Sequence, residues 1–139
     1  MQTEKIKNLA LRIKKANRVY LVGNGGSWAN SVHICNDLLS VGIKAYTLDP
    51  ATLTAFANDH GYRSIFARWI DVVGEPGDLL IALSGSGTSA NIEEAIAIAT
   101  IKGMQTELIT DYLRTMDMQR SEEMQLEIGH ELMRNLKCV

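Results

Sequence analysis

The sequence predicts an open α/β sheet of parallel strands, and three observations carry that expectation. Short strand-like runs (Arg18–Val22, Lys44–Leu48, Leu79–Leu83 and Gln105–Ile109) alternate with segments whose apolar residues recur at helical spacing. Such alternation implies parallel pairing through right-handed crossovers. Leu79–Leu83 is apolar at every position, as in a strand covered on both faces. Finally, two Gly-rich turns, Gly23–Ser27 and Ser84–Ser89, each follow a strand. They therefore fall at the carboxyl edge of the sheet, where ligands of open α/β sheets bind.

The elements follow in chain order. Thr3–Ala16 is an amphipathic helix with Ile6, Leu9, Ala10 and Ile13 on one face, and Lys5, Lys7, Arg12, Lys14 and Lys15 on a solvated remainder. After the first strand and turn, Trp28–Leu39 is helical, with Val32, Cys35, Leu38 and Leu39 as its apolar positions. Lys44–Leu48 is the second strand, and Pro50 opens a less regular stretch. Arg63–Val73 carries Ile65, Phe66, Trp69, Ile70 and Val73 at helical spacing, and Gly74–Gly77 turns into the third strand. Asn91–Lys102 is a helix with Ser89 as N-cap and Gly103 as its C′ residue. Asp111–Arg120 has weak periodicity and receives no assignment. A last helix from Ser121 to about Lys137 presents Met124, Ile128, Leu132 and Leu136 in one row.

At 139 residues, the chain has room for one domain and a substantial core. A formal net charge of −2 gives no reason to expect a nucleic-acid partner, so any anion recognition must be local. Cys35 and Cys138 form no CxxC motif and no disulfide framework, which fits a reducing compartment. No apolar run approaches the roughly 20 residues that span a bilayer, and the charged N-terminus leads into no apolar signal region. The expected location is the cytoplasm.

Ser84–Ser89 brings four hydroxyls (Ser84, Ser86, Thr88, Ser89) and two glycines, Gly85 and Gly87, to the start of a helix. Glycines let main-chain N–H groups approach a ligand, and the positive end of the helix dipole favours an anion there. The loop reads as a phosphate cradle, although an ordinary βα turn of small residues has a similar composition. No Lys follows the glycines, so it is not a nucleotide P-loop. The first turn likewise lacks GxGxxG spacing. His33 and Asp37 stand i,i+4 and point the same way. Glu122 and His130 are eight apart, two turns along one face.

Three segments together, Leu21-Val-Gly-Asn-Gly-Gly-Ser27, Ala57-Asn-Asp-His-Gly-Tyr-Arg-Ser-Ile-Phe66 and Leu83-Ser-Gly-Ser-Gly-Thr-Ser-Ala-Asn91, resemble the sugar isomerase (SIS) domain family, in particular its phosphoheptose isomerase branch. The resemblance covers about Lys14 to Thr110 and resumes in the last helix. It implies a flavodoxin-like three-layer αβα sandwich with four to five parallel strands, a sugar-phosphate ligand, and a homo-oligomer (dimer or tetramer) whose sites lie near subunit interfaces. Ser84, Gly85, Ser86 and Ser89 would hold the phosphate. Asn24, Gly25 and Gly26 would line the sugar, with Asn58 and Asp59 nearby and Ser27 supporting the pocket. Asp37 falls on the family's catalytic Glu and His130 on its acid, for proton transfer between adjacent carbons through an enediol. His33, Asp37, Glu122 and His130 match positions that carry zinc in some phosphoheptose isomerases, and they are expected to converge beside Ser84–Ser89. They can bind a divalent ion, most naturally Zn²⁺, or act directly as acid and base.

Two positions depart from the family pattern. Asp37 is one methylene shorter than the family's Glu, and Glu122 replaces a Gln. The chain is also shorter than the family, before its first helix and between Thr110 and Ser121. Two functional readings follow: an aldose–ketose isomerase, or a SIS module that binds a sugar phosphate or a protein without turnover.

Overall fold

Successive residues of a strand face opposite ways, and here both faces of the sheet find apolar cover. The computed structural model describes residues 2–112 and 117–137. Its strands are β1 (Val19–Gly23), β2 (Ala45–Thr47), β3 (Leu79–Leu83) and β4 (Gln105–Leu108). Its helices are α1 (Gln2–Lys15), α2 (Gly26–Ser40), α3 (Pro50–His60), α4 (Ile65–Val73), α5 (Ala90–Ile101) and α6 (Met118–Lys137). The strands form one sheet in the order β2-β1-β3-β4, all pairs parallel, with Val19 opposite both Ala45 and Leu79.

On one face Val19 and Leu21 of β1 and Leu79, Ile81 and Leu83 of β3 pack against α1, α2 and α6 through Ile6, Leu9, Ile13, Ile34, Leu38, Ile128, Leu132 and Leu136. On the other, Tyr20, Val22, Leu80 and Ala82 meet Ile65, Phe66 and Ile70 of α4 and Ile92, Ala95 and Ala99 of α5. This is the expected α/β/α sandwich. The crossover from β1 goes outward to β2, then back to β3 on β1's other side. The strand order therefore switches between β1 and β3, whose ends carry the two Gly-rich turns. No helix among the described residues is long and apolar enough to cross a membrane.

Several local expectations need correction. The stretch after Pro50 is a helix. Asp49 caps it, accepting from the Thr52 N–H at 3.0 Å, and Pro50 occupies the first turn. That bond holds the Asp49 carboxyl below its usual range. No residue of α3 is fully buried, and its apolar face is a short one, Leu53, Phe56 and Ala57 packed partly against the core. On α2, Val32 and Leu39 are exposed, and the buried stripe is Ser27, Ser31, Ile34, Cys35 and Leu38. Arg12 does not belong to a purely solvated face. Its guanidinium reaches across to β4, bonding Gln105 Oε1, Glu107 Oε1 and the Thr106 carbonyl, and so blocks an exposed sheet edge. The last helix begins three residues before Ser121, at Met118, whereas residues 113–116 lie outside the described ones, as does Cys138. Cys35 is buried, which pushes its thiol pKa up.

Candidate functional site

The turn after β1 is shaped by its glycines. Gly25 has φ +57°, a conformation costly for any side chain. Gly23 lies so close to the next turn of chain that a Cβ there would fall 2.7 Å from the Ser27 carbonyl carbon and oxygen. Because backbone cannot yield as a side-chain tip can, Gly23→Ala is expected to destabilise the fold by about 1–3 kcal/mol, checked by urea unfolding. Gly26 leaves room for Glu122, whose Oε2 lies 1.7 Å from where a Gly26 Cβ would stand.

The loop after β3 folds onto its own hydroxyls. Ser84 Oγ accepts from Gly87 N at 3.0 Å, and Ser86 Oγ accepts from Thr88 N at 3.2 Å. An accepting hydroxyl still has its own O–H to donate, so both remain donors for an anion. Thr110 Oγ1 donates to the Ser84 carbonyl and fixes the far side of the loop. Ser89 occupies the N-cap position of α5 as expected, but its side chain makes no capping bond. A cavity of about 80 Å³ lies here, lined by Asn24, Ser27, Leu83, Ser84, Gly85, Ser86, Ser89 and Met118. The two turns thus share one cavity at the switch in strand order.

Asn58 and Asp59 do not line it. They are exposed on α3, where Asn58 Nδ2 donates to Asp59 Oδ1 at 3.0 Å. Tyr62, just beyond α3, makes the connection instead, its hydroxyl donating to Asn24 Oδ1 at 2.7 Å. Sequence reasoning passed over three further residues. Met118 and Ser121 of α6 press on Gly85, where a Cβ would lie 2.7 Å from Met118 Cε and 3.4 Å from Ser121 Cβ. Gln125, fully buried, donates to Ser27 Oγ at 2.9 Å and accepts from Asn30 Nδ2 at 2.9 Å, docking α6 on the first turn of α2. Its place in the sequence held a signal, since it stands on the stripe of Ser121, Ile128 and Leu132 at helical spacing.

Away from the cavity, α2 and α6 bring His33, Asp37 and His130 together, each offering one atom within 4.8 Å of the others. His33 Nε2 lies 3.4 Å from His130 Nε2 and 3.4 Å from Asp37 Oδ2. A single hydrogen on His33 Nε2 cannot satisfy both contacts, whereas a shared cation satisfies all three atoms. Tetrahedral zinc with bonds of about 2.05 Å separates its ligand atoms by about 3.3 Å, close to the two 3.4 Å separations at His33 Nε2. Glu122 is not in this group. Its carboxylate stays at Gly26, and eight residues of helix separate it from His130 by about 12 Å along the axis. Sharing a helix face set the direction of the two side chains but not their separation. The expected four-residue convergence beside Ser84–Ser89 is therefore corrected to three residues, none of which lines that cavity. Asp37 and His130 instead border an open depression of about 250 Å³ with Ser40, Met133, Arg134 and Lys137.

The sheet order and the paired turns define a doubly wound α/β domain with its binding edge at the β1/β3 switch. The chain belongs to the SIS domain family, which it matches over residues 3–110. It is 40% identical over 106 residues to the phosphoheptose isomerase of Akkermansia muciniphila, covering 70% of this chain and 56% of that one. To the phosphoheptose isomerase of Nitratidesulfovibrio vulgaris it is 30% identical over 146 residues, covering 89% and 70% respectively. The chain spans about half the length of several of the curated relatives it matches, 56% and 54% for those of A. muciniphila and Thiobacillus denitrificans. The structure of phosphoheptose isomerase from Neisseria gonorrhoeae is similar with a TM-score of 0.87 at 22% identity, covering 99% of this chain and 85% of that one. At that identity the likeness shows the fold. Glu122, Gln125 and His130 lie beyond the family match.

Proposed function

We propose that this chain is a sugar-phosphate isomerase domain of the phosphoheptose isomerase type, interconverting sedoheptulose 7-phosphate with its aldose through an enediol. The observation that carries the reading is the convergence of His33, Asp37 and His130 in a chain that also builds the hydroxyl-lined cavity. The phosphoheptose isomerases among its relatives support it.

In this reading the O–H groups of Ser84 and Ser86, the Ser89 hydroxyl and the N-terminus of α5 hold the phosphate, with Gly85 allowing close approach. Asn24, Gly25 and Gly26 line the sugar, and Ser27 is held beneath by Gln125. Glu122, at Gly26, faces the sugar rather than the three-residue cluster. His33 is six residues beyond Ser27, about 9 Å along α2. That separation suits a ligand whose reacting carbons are at the opposite end of the chain from its phosphate. Asp37 takes the proton from one carbon and returns it to the neighbour, while His130 gives a proton to the carbonyl oxygen and takes one back from the hydroxyl that becomes the new carbonyl. Alternatively, His33, Asp37 and His130 would hold a divalent ion, zinc by donor type, and the His130 nitrogen would then be a ligand with no proton to give. The chemistry such an ion supplies when bound is polarisation of the carbonyl. Val32 and Leu39, 43% and 52% exposed on the helix that carries His33 and Asp37, support a homo-oligomer with this face at an interface.

The test is turnover of sedoheptulose 7-phosphate by purified protein, with zinc added and with chelator. Conversion that rises with zinc is expected. Binding without conversion under both conditions contradicts the isomerase and identifies a sugar-phosphate-binding module instead.

A further inference from the structure

Asn91 opens α5 with its side chain almost fully buried, at 4% exposure, and does not line the cavity. Its amide meets that of Asn24 in a closed two-bond ring. Asn24 Nδ2 donates to Asn91 Oδ1 at 2.9 Å, and Asn91 Nδ2 donates to Asn24 Oδ1 at 2.9 Å. The Tyr62 hydroxyl donates to the same Asn24 Oδ1 at 2.7 Å. The three residues come from separate segments: the turn after β1, the helix after β3, and the short 3₁₀ turn at Tyr62–Ser64.

A primary amide has two lone pairs and two N–H donors. Asn24 Oδ1 is saturated by Asn91 and Tyr62, and one of its N–H groups is given to Asn91. One side-chain N–H is left without a partner among the described residues. Turning the Asn24 amide over by itself would set nitrogen against nitrogen and oxygen against oxygen across the ring. Turning both amides would keep the ring and present an N–H to Tyr62, whose hydroxyl can also accept. The ring therefore fixes the two amides relative to one another, and Tyr62 holds the outer edge of Asn24 in place.

We propose that Asn91 is a positioning residue for the sugar. With Tyr62, it holds the Asn24 amide in one plane so that its remaining polar edge meets a hydroxyl of the ligand's carbon chain while Ser84–Ser89 holds the phosphate. The inference rests on the sugar-phosphate reading above. It assigns phosphate affinity to the Ser loop and sugar affinity to Asn24, with Asn91 acting only through Asn24. Tyr62, 52% exposed, is the part of the lock that an entering ligand can reach.

The test is calorimetric binding of two probes, inorganic phosphate and sedoheptulose 7-phosphate, to wild-type protein, Asn91→Ala, Asn24→Ala and the double variant. Asn91→Ala is expected to weaken sedoheptulose 7-phosphate about tenfold, the scale of one lost oriented hydrogen bond, and to change inorganic phosphate less than about twofold. In the Asn24→Ala background the same substitution is expected to do nothing further. An equal loss for both probes, or an Asn91 effect that persists without Asn24, overturns the proposal in favour of a purely structural clamp. Tyr62→Phe removes one exposed hydroxyl and keeps the ring, so it addresses the lock even where Asn91→Ala fails to fold. It is expected to weaken the sugar phosphate about threefold and leave inorganic phosphate unchanged, and no change in either overturns the lock. Failure of the underlying reading is distinguishable, because wild-type protein then binds neither probe, and that result overturns both.

Discussion

His130→Ala is expected to lower turnover by about 10²–10⁴-fold, the usual worth of a positioned acid or base. The substitution removes one of three atoms that converge between α2 and α6, and no neighbouring side chain in the group replaces it. His33 would keep its contact with Asp37 at 3.4 Å, leaving a two-atom set too small to close a metal site. Zinc should accordingly stop raising the melting temperature of the variant while still raising that of the wild type. The fold itself should be little affected, because His130 is exposed and the buried row beside it, Ile128, Leu132 and Leu136, is untouched. Steady-state kinetics beside thermal melts with and without zinc separate these effects. A variant that keeps turnover within tenfold of wild type removes His130 from the mechanism.

The largest effect on stability is expected at Phe66. Its side chain is fully buried on the α4–α5 side of the sheet and stacks on Trp28 with ring centroids 6.2 Å apart and planes 21° apart. Phe66→Ala should cost about 3–5 kcal/mol, from lost transfer energy and the cavity left behind. For a domain of ordinary stability, about 5–15 kcal/mol, that is a large share. The urea midpoint should fall by about 2 M if the slope is near 2 kcal/mol/M. Trp28 directly follows Ser27, so loosening it should also weaken sugar-phosphate binding to whatever fraction remains folded. A loss below 1 kcal/mol would mean that the core closes around the gap.

The sheet was legible because its signal is local. Leu79–Leu83 is apolar throughout, and β1 and β3 are each followed by a turn whose glycines mark a close backbone approach. The helix at Pro50–His60 was not, since no residue of it is fully buried and its apolar face is only Leu53, Phe56 and Ala57, partly buried against the core. The pair Asp49 and Pro50 was its readable signal, a cap followed by a first-turn proline. Helical spacing placed His33 with Asp37, because i,i+4 fixes both direction and distance. For Glu122 and His130 it fixed direction alone, and two turns of rise carried Glu122 off to Gly26. The Asn24–Asn91 ring and the Gln125–Ser27 bond join residues 67 and 98 positions apart, and no spacing rule reaches that far. What the sequence does show is a glutamine on a buried stripe, which requires some partner.

The most direct test of the isomerase reading is an NMR time course of sedoheptulose 7-phosphate with the purified protein and zinc in deuterium oxide. An enediol route predicts growth of the aldose, with solvent deuterium appearing at its C2 as the proton on Asp37 exchanges. If the ketose persists with its C1 protons undiluted and no aldose forms, the chain binds without isomerising, and the account of His33, Asp37 and His130 as reacting groups is wrong.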